Sequence, residues 1–496
     1  MAYAIGIDVG TTGTKTVLLE TGTGIVATHA GSSPLFSDAT GFAEADPAVW
    51  VANAVDGIRA VLQEAGVAGG EVAAVSATGM VPAVVLLDAD LRPLRRAILQ
   101  NDARADLEIT ELAGELAGHD VLAHTGSALT QQSVAPTTRW LARHEAGIWE
   151  RTRFIVGSYD YLLMALGAEP HLEENWALES GLFELDGRPF APMVERAGIA
   201  AEQLPPVHAP GAVVGGLSAR MAEATGLRPG CALVVGGADH VLSAYAAGVN
   251  DAGDWIVKLG GAGDLLAASP QPIVDTRLYL DRHPRAGIWL PNACMATSGS
   301  LIRWFQELVG GVRLPELDDE AATRPAASLL CLPYFMGEKS PLHDPLARGT
   351  FAGLHLGHTR ADLYRAVLES IAFGFLRNAE VMREQGIALE RAVVTNGGSN
   401  SRFWMQIHAD VLGSVLHPVI GHPGASLGAA ISAARGVEAI DHDAIQRFVK
   451  LDTPLEPRPD LAAVYADAYA EWADLSAAVA PISHRVATRS RETSTP

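Results

Sequence analysis

Cysteine is scarce in this 496-residue chain: Cys231, Cys294 and Cys331 are three in number, widely spaced and set among apolar residues. Neither a disulfide framework nor a paired-cysteine metal site is expected, and a reducing compartment is. Basic charge is also short. The 36 Lys and Arg against 57 Asp and Glu leave a formal charge of -21, which excludes nucleic acid or an anionic membrane as the main partner. A phosphate ligand is not excluded, because backbone N–H groups bind one locally without net basic charge. No uncharged apolar run of about 18 residues occurs, and no charged segment followed by an apolar stretch opens the chain. A cytoplasmic location with no membrane partner is therefore expected. Two nucleotide signatures are missing too. No GxGxxG follows the first strand, which removes a Rossmann dehydrogenase, and GTTGTK (Gly10–Lys15) lacks the P-loop spacing.

Glycine, by contrast, is plentiful: 50 residues imply many tight turns. The chain is too long for one core, since single cores stop growing near roughly 250 to 300 residues, so two or three domains and a cleft between them are expected. AIGIDVGTTGTKTVLLE reads as a strand, Ala4 to Val9, a glycine turn, and a strand, Thr16 to Glu20. DWIVKLGGAGDLLAAS repeats that shape in mid-chain. Two related lobes follow, with a boundary near residue 246: 1–245, 246–440, a helical segment over 441–482 and a disordered tail over 483–496. Strands alternating with helices make both lobes α/β. One helix is announced by Asp46 as N-cap and Pro47 as first residue, with Val49, Ala52, Val55, Ile58 and Val61 as its buried stripe. SLGAAISAARG reads as a small-residue helix of the second lobe.

The chemistry centres on strand-end carboxylates. Asp8 closes an apolar strand beside a glycine and threonine turn, and a carboxylate there costs several kcal/mol unless paired, hydrated or bound to a cation. With Lys15 as counter-charge, the turn offers N–H and O–H donors to phosphates and Asp8 suits a hydrated Mg²⁺. Asp239, behind the glycines of VVGGADH, reads either as a helix N-cap or as a base for an attacking hydroxyl. In TNGGSNSRFWMQIHAD the glycines allow a ligand to approach the backbone, although a plain turn explains them almost as well. Trp404 and Met405 read as core, and His408 as a structural histidine.

Together these residues resemble the FGGY family of carbohydrate kinases, within the sugar kinase, hsp70 and actin superfamily, over nearly the whole chain. GTFAGLHLGHTRADLYRAVLE, Gly349 to Glu369, fits that family's second signature, and PYFMGEKSPLHDP its PYLxGERTPxxDP segment, with Lys339 where arginine is usual. IDVGTTGTK, LQNDARA, VVGGADH and TNGGSNSRFW fall in the family's order. The resemblance implies two actin-like (ribonuclease H-like) lobes around an ATP and substrate cleft. It implies Mg²⁺-dependent transfer of the ATP γ-phosphate to a hydroxyl of a small sugar or polyol. Asp239 would be the catalytic base and would also face the metal, which Asp8 would hold through water. Gly10, Thr11, Thr12, Lys15, Gly260, Gly261, Gly397, Gly398 and Asn400 would bind ATP. Met80, Val81, Asp102, Arg104, Asn175, Asp239 and His240 would lie on the sugar side. A homodimer is compatible with this reading.

In length and layout the chain resembles xylulokinases, but its sugar side departs from them. Their GQMHG becomes Gly79, Met80, Val81, Pro82, Ala83, without the histidine; WNDGR becomes Gln100 to Arg104; and GGGDN becomes GGADH, placing His240 beside the expected base. On the phosphate side Gly261 stands where a hydroxyl is common and Thr137 where a lysine is usual. A kinase-like sensor without catalysis is the alternative, against which both aspartates speak. An hsp70-like machine would need a peptide-binding module for which too few residues remain.

Overall fold

The computed structural model describes residues 2–37, 41–422 and 424–494, with side chains through 489. Two six-stranded sheets frame it. Numbering only their strands, the first sheet holds β1 (Tyr3–Val9), β2 (Gly13–Glu20), β3 (Gly24–Ser32), β4 (Val72–Gly79), β5 (Val213–Gly216) and β6 (Ala232–Ala238), ordered β5-β6-β4-β1-β2-β3. The second holds β7 (Asp254–Leu259), β8 (Gly263–Ala267), β9 (Tyr279–Arg282), β10 (Trp289–Met295), β11 (Arg391–Thr395) and β12 (Leu416–Pro418), ordered β9-β10-β8-β7-β11-β12. In each, three strands form an antiparallel meander (β1-β2-β3; β7-β8-β10) and two more run parallel to the first (β4 and β6; β11 and β12). This is the duplicated, actin-like plan that the two similar hairpins imply.

Of the helices, α1 (Pro47–Ala65), α2 (Asp239–Ala246), α3 (Arg360–Glu384), α4 (Arg402–Leu412), α5 (Ala425–Gly436) and α6 (Ala462–Ser494) position or support the cleft. The Asp46 carboxylate caps α1 by accepting from Ala48 N at 2.9 Å. Its buried face is not the expected stripe, however: Trp50, Ala54, Ile58, Val61 and Leu62 are buried, while Ala52 is exposed and Val49 and Val55 only half-buried. Each three-residue step falls about 60° short of a turn, so a strict three-residue ladder slides off the core face. Residues four apart keep it.

Two expectations about chain layout are corrected. The helix α5 packs on the first sheet, not the second: Ala433 and Ala434 join Ala4, Ala74 and Val234, and Ala429, Ala430 and Ile431 join Val17 and Leu19. Small residues make this contact. A Cβ added at Gly6 would sit 2.0 Å from Ser426 O, so helix and strand backbones touch there. Of the tail expected over 483–496, the residues through 494 are helical instead, as α6 continues to Ser494. Its polar composition hides a narrow buried stripe of Ser483 and Ala487, and His484 Nε2 lies 2.6 Å from Asp344 Oδ2. Residues 495 and 496 lie outside the described residues. The cysteines are unpaired, and among the described residues no helix is long and apolar enough to cross a membrane.

Candidate active site

Both glycine hairpins open at the same ends of their sheets. In the first lobe Gly10 N donates to Gly13 O at 2.9 Å, closing the turn Gly10–Thr12 beyond β1. In the second lobe Ser298 N donates to Gly261 O at 2.9 Å and Gly299 N to Gly260 O at 2.8 Å, which ties the β7–β8 turn to the start of the helix Gly299–Leu308. The carbonyls of this turn are thereby occupied by protein donors.

Between these hairpins lies a field of opposite charges. Asp8 Oδ1 is buried without a hydrogen-bond partner. Burial, and then the charge of Asp239, push the Asp8 carboxyl up to about 7, while Lys15 and Lys258 act against that rise. The two strand-end aspartates therefore act on one another at one end of the first sheet, where β1 and β6 flank β4. Asp239 is the first residue of α2, with Ala238 as the N-cap residue, so the capping role is not the one it fills; its side chain is 42% exposed. Lys15 stands opposite Asp8 in the β1–β2 ladder, and Lys258 Nζ lies 3.1 Å from Asp264 Oδ2. The chain has four lysines, Lys15, Lys258, Lys339 and Lys450, and two of them are spent here. An unpartnered buried carboxylate oxygen flanked by another carboxylate and two ammonium groups fits a hard divalent cation with anionic phosphates.

Next to the β7–β8 turn is a cavity of about 480 Å³, lined by Gly260, Gly261, Gly397, Gly398 and Asn400 together with Arg303, Asp318, Tyr364 and Trp404. All five second-lobe residues expected to bind nucleotide are thus brought together. Gly10, Thr11, Thr12 and Lys15 stand outside this cavity, across the cleft. A Cβ at Gly398 would lie 2.3 Å from the Trp404 ring, so only glycine lets the loop close over that wall. Trp404 is buried as expected for core, yet one face forms the cavity. Asp318 accepts from Ser401 Oγ at 2.7 Å and Tyr364 Oη at 3.1 Å.

His408, one turn beyond Trp404, is fully buried and donates Nδ1–H to Trp404 O at 3.0 Å. Burial pushes its imidazole down to about 4, against about 6.5 in an unfolded chain. Between those values the unfolded state holds a proton that the native state does not, so this contribution is intact above about pH 6.5 and is lost as pH falls toward 4. Relative to wild type, His408→Gln should lose about 2 kcal/mol less stability between pH 7 and pH 5 in urea titrations.

The sugar-side residues divide. Met80 and Val81 are buried where β4 ends, with Met80 Sδ 4.0 Å from Thr11 Oγ1. Asp102 is fully committed: Oδ2 accepts from Ala43 N at 2.6 Å and Arg104 Nη2 at 2.8 Å, and Oδ1 from Arg104 N and Nε. It therefore holds Arg104, which packs over the Phe42 ring and leaves Nη1 buried and unpartnered. Asn175 spends its side chain within the protein. Its amide donates to Glu173 Oε1 and Arg282 O, both at 3.0 Å, and its oxygen accepts from Arg282 N at 2.6 Å. It is a buried tie between the first lobe and β9, because a strand edge at the seam needs its backbone groups satisfied. His240 faces three carboxylates, Asp239, Glu179 and Asp281.

Comparison with known families settles the class. The N-terminal domain model of the FGGY family of carbohydrate kinases matches residues 3–246, and its C-terminal domain model matches residues 258–437. The chain belongs to the FGGY family. As an FGGY kinase it is an ATP-dependent sugar phosphotransferase. The xylulose kinase of Staphylococcus epidermidis is 27% identical over 94% of this chain and 95% of its own, and that of Bacillus subtilis 26% over 97% and 99%. Among solved structures, the xylulose kinase of Rhodospirillum rubrum has a TM-score of 0.92 at 39% identity, covering 97% of this chain and all of its own. The glycerol kinase of Plasmodium falciparum, at 18% identity and a TM-score of 0.87, shares the fold.

Several residues of this FGGY kinase site escaped sequence reasoning. Lys258 and Asp264 sit in the very hairpin singled out for its glycines, and their i, i+6 spacing across a tight turn is a signal that could have been read. Arg303 Nη2 lies 3.1 Å from where a Cβ at Gly261 would be, so a cation stands close to the position where a hydroxyl side chain is missing. Asp318 and Tyr364 have no local signal; only the packing of α3 against the helix Leu314–Ala322 brings them to the cavity.

Proposed function

We propose that this FGGY kinase phosphorylates a small ketose of the xylulose class, or a related polyol, using Mg·ATP. One observation carries the reading: Asp8 and Asp239 stand at the ends of β1 and β6, the two strands that flank β4, at the same edge of the first sheet, and the charge of Asp239 helps raise the Asp8 carboxyl. The 39% identity to a xylulose kinase over 97% of the chain supports the substrate class. Gly260, Gly261, Gly397, Gly398 and Asn400 hold the nucleotide's base and ribose, while Gly10, Thr11, Thr12 and Lys15 receive its phosphates. Asp8, through water, and Asp239 would hold a Mg²⁺ ion, which would supply charge to neutralise the phosphates. Asp239 accepts the proton of the attacking hydroxyl as oxygen moves in line onto the γ-phosphorus. Lys15 and Lys258 offset the charge that develops on the phosphoryl oxygens, and lobe closure excludes water as a competing acceptor.

The sugar end differs from the xylulokinase pattern because the histidine of GQMHG is absent from residues 79–83 and Asp102 is committed to Arg104. Arg104 Nη1 and Gln100 Oε1, both buried and unpartnered, are the polar atoms left to meet hydroxyls. An ADP-release assay across D- and L-xylulose, pentitols, tetritols, glycerol and gluconate tests the reading. A pentulose should give the highest kcat/KM. Stimulation by glycerol or gluconate alone would refute the substrate class, and no stimulation at all would refute the reading itself.

A further inference from the structure

Immediately behind Asp239 three side chains from three elements meet. Glu179 ends the short helix Glu174–Glu179, His240 lies in the first turn of α2, and Asp281 is on β9 of the other lobe. His240 Nε2 is 3.0 Å from Asp281 Oδ2 and 3.6 Å from Glu179 Oε1, and the three ligand atoms all lie within 4.8 Å of one another. Asp281 is fully buried and its Oδ1 has no hydrogen-bond partner; Glu179 Oε1, the atom facing His240 Nε2, has none either. Among the described residues neither carboxylate pairs with a lysine or arginine. The buried Asp281 and the half-buried Glu179 thus converge on one imidazole, with Asp239 beside it.

We propose that Glu179, His240 and Asp281 bind one divalent transition-metal ion of the zinc class, with a fourth position open to water. Metal–nitrogen and metal–oxygen bonds of about 2.0–2.2 Å in a tetrahedron place ligand atoms about 3.3–3.5 Å apart, and the two measured separations bracket that range. The supporting shell is present as well. The other imidazole nitrogen, His240 Nδ1, lies 3.4 Å from Asp239 Oδ1, the carboxylate partner that a metal-bound histidine takes. Asn292 Nδ2 donates to Asp281 Oδ2. An imidazole ligand favours a transition ion over Mg²⁺, so this site is distinct from the one at Asp8. The ion would join β9 to α2 across the seam between lobes. His240 is this chain's own departure from the GGGDN pattern.

The test uses the full chain, stripped with chelator and titrated with Co²⁺ alone. One equivalent should bind with the strong visible absorption of a four-coordinate ion, be displaced by one equivalent of Zn²⁺, and survive excess Mg²⁺. His240→Asn and Asp281→Asn should each weaken binding by at least about tenfold, while Asp8→Asn should leave the spectrum unchanged. Absence of stoichiometric Co²⁺ binding to the wild-type chain would overturn the site, whatever the variants do. So would wild-type affinity in either ligand variant, shown by circular dichroism to be folded, or loss of the spectrum in Asp8→Asn.

Discussion

Asp239→Asn should lower kcat by roughly 10²- to 10⁴-fold, the range general-base removal commonly costs, while ATP and ADP bind with wild-type affinity. Asparagine has the size of aspartate and the side chain is 42% exposed, so the fold should tolerate it. Asp239 is not among the residues that line the nucleotide cavity. A kcat effect with unchanged nucleotide affinity by calorimetry would separate proton transfer from binding. Turnover within about tenfold of wild type would remove Asp239 as the base. Asp8→Asn offers the contrast: it deletes charge at the cation without removing the base, so raising Mg²⁺ should restore most of its turnover, whereas Asp239→Asn, which loses the base as well, should regain only a minor part.

The second large effect is structural. Gly6→Ala places a Cβ 2.0 Å from Ser426 O and 2.4 Å from Ala430 N. Both are backbone atoms of a helix, so no side chain can rotate aside, and α5 must lift from β1. Overpacking of this kind costs typically 1–3 kcal/mol, and with two backbone clashes the loss should reach about 3 kcal/mol or more, read as a lower urea midpoint. Gly70→Ala, where an added Cβ meets nothing within 4 Å, should stay within about 0.5 kcal/mol. Equal stability of the two variants would mean that the strand and helix are not in contact as described.

What could be read from residue order alone follows from range. The hairpins, the strand-end aspartates and the glycines at 260, 261, 397 and 398 announce themselves because turn chemistry is local, and the cavity unites the second-lobe set. The face of α1 departs from a three-residue ladder because such a ladder imitates helical periodicity over two turns only. Asn175, which the family resemblance puts on the sugar side, spends its amide on Glu173 and on the backbone of Arg282, 107 residues away. Lobe membership of α5 is likewise a property of the closed molecule. A run of alanines fits any flat sheet, and only Gly6 and its surroundings decide which.

That crossing of α5 has a consequence for how the chain attains its shape. The duplicated halves are not autonomous: the first sheet's underside, at Ala4, Ala74 and Val234, is roofed by a helix synthesised nearly two hundred residues after β6. A nascent first half therefore leaves the ribosome with one face bare, and its completion waits on the second half, so the cleft and the last wall of its older partner are finished in the same late step.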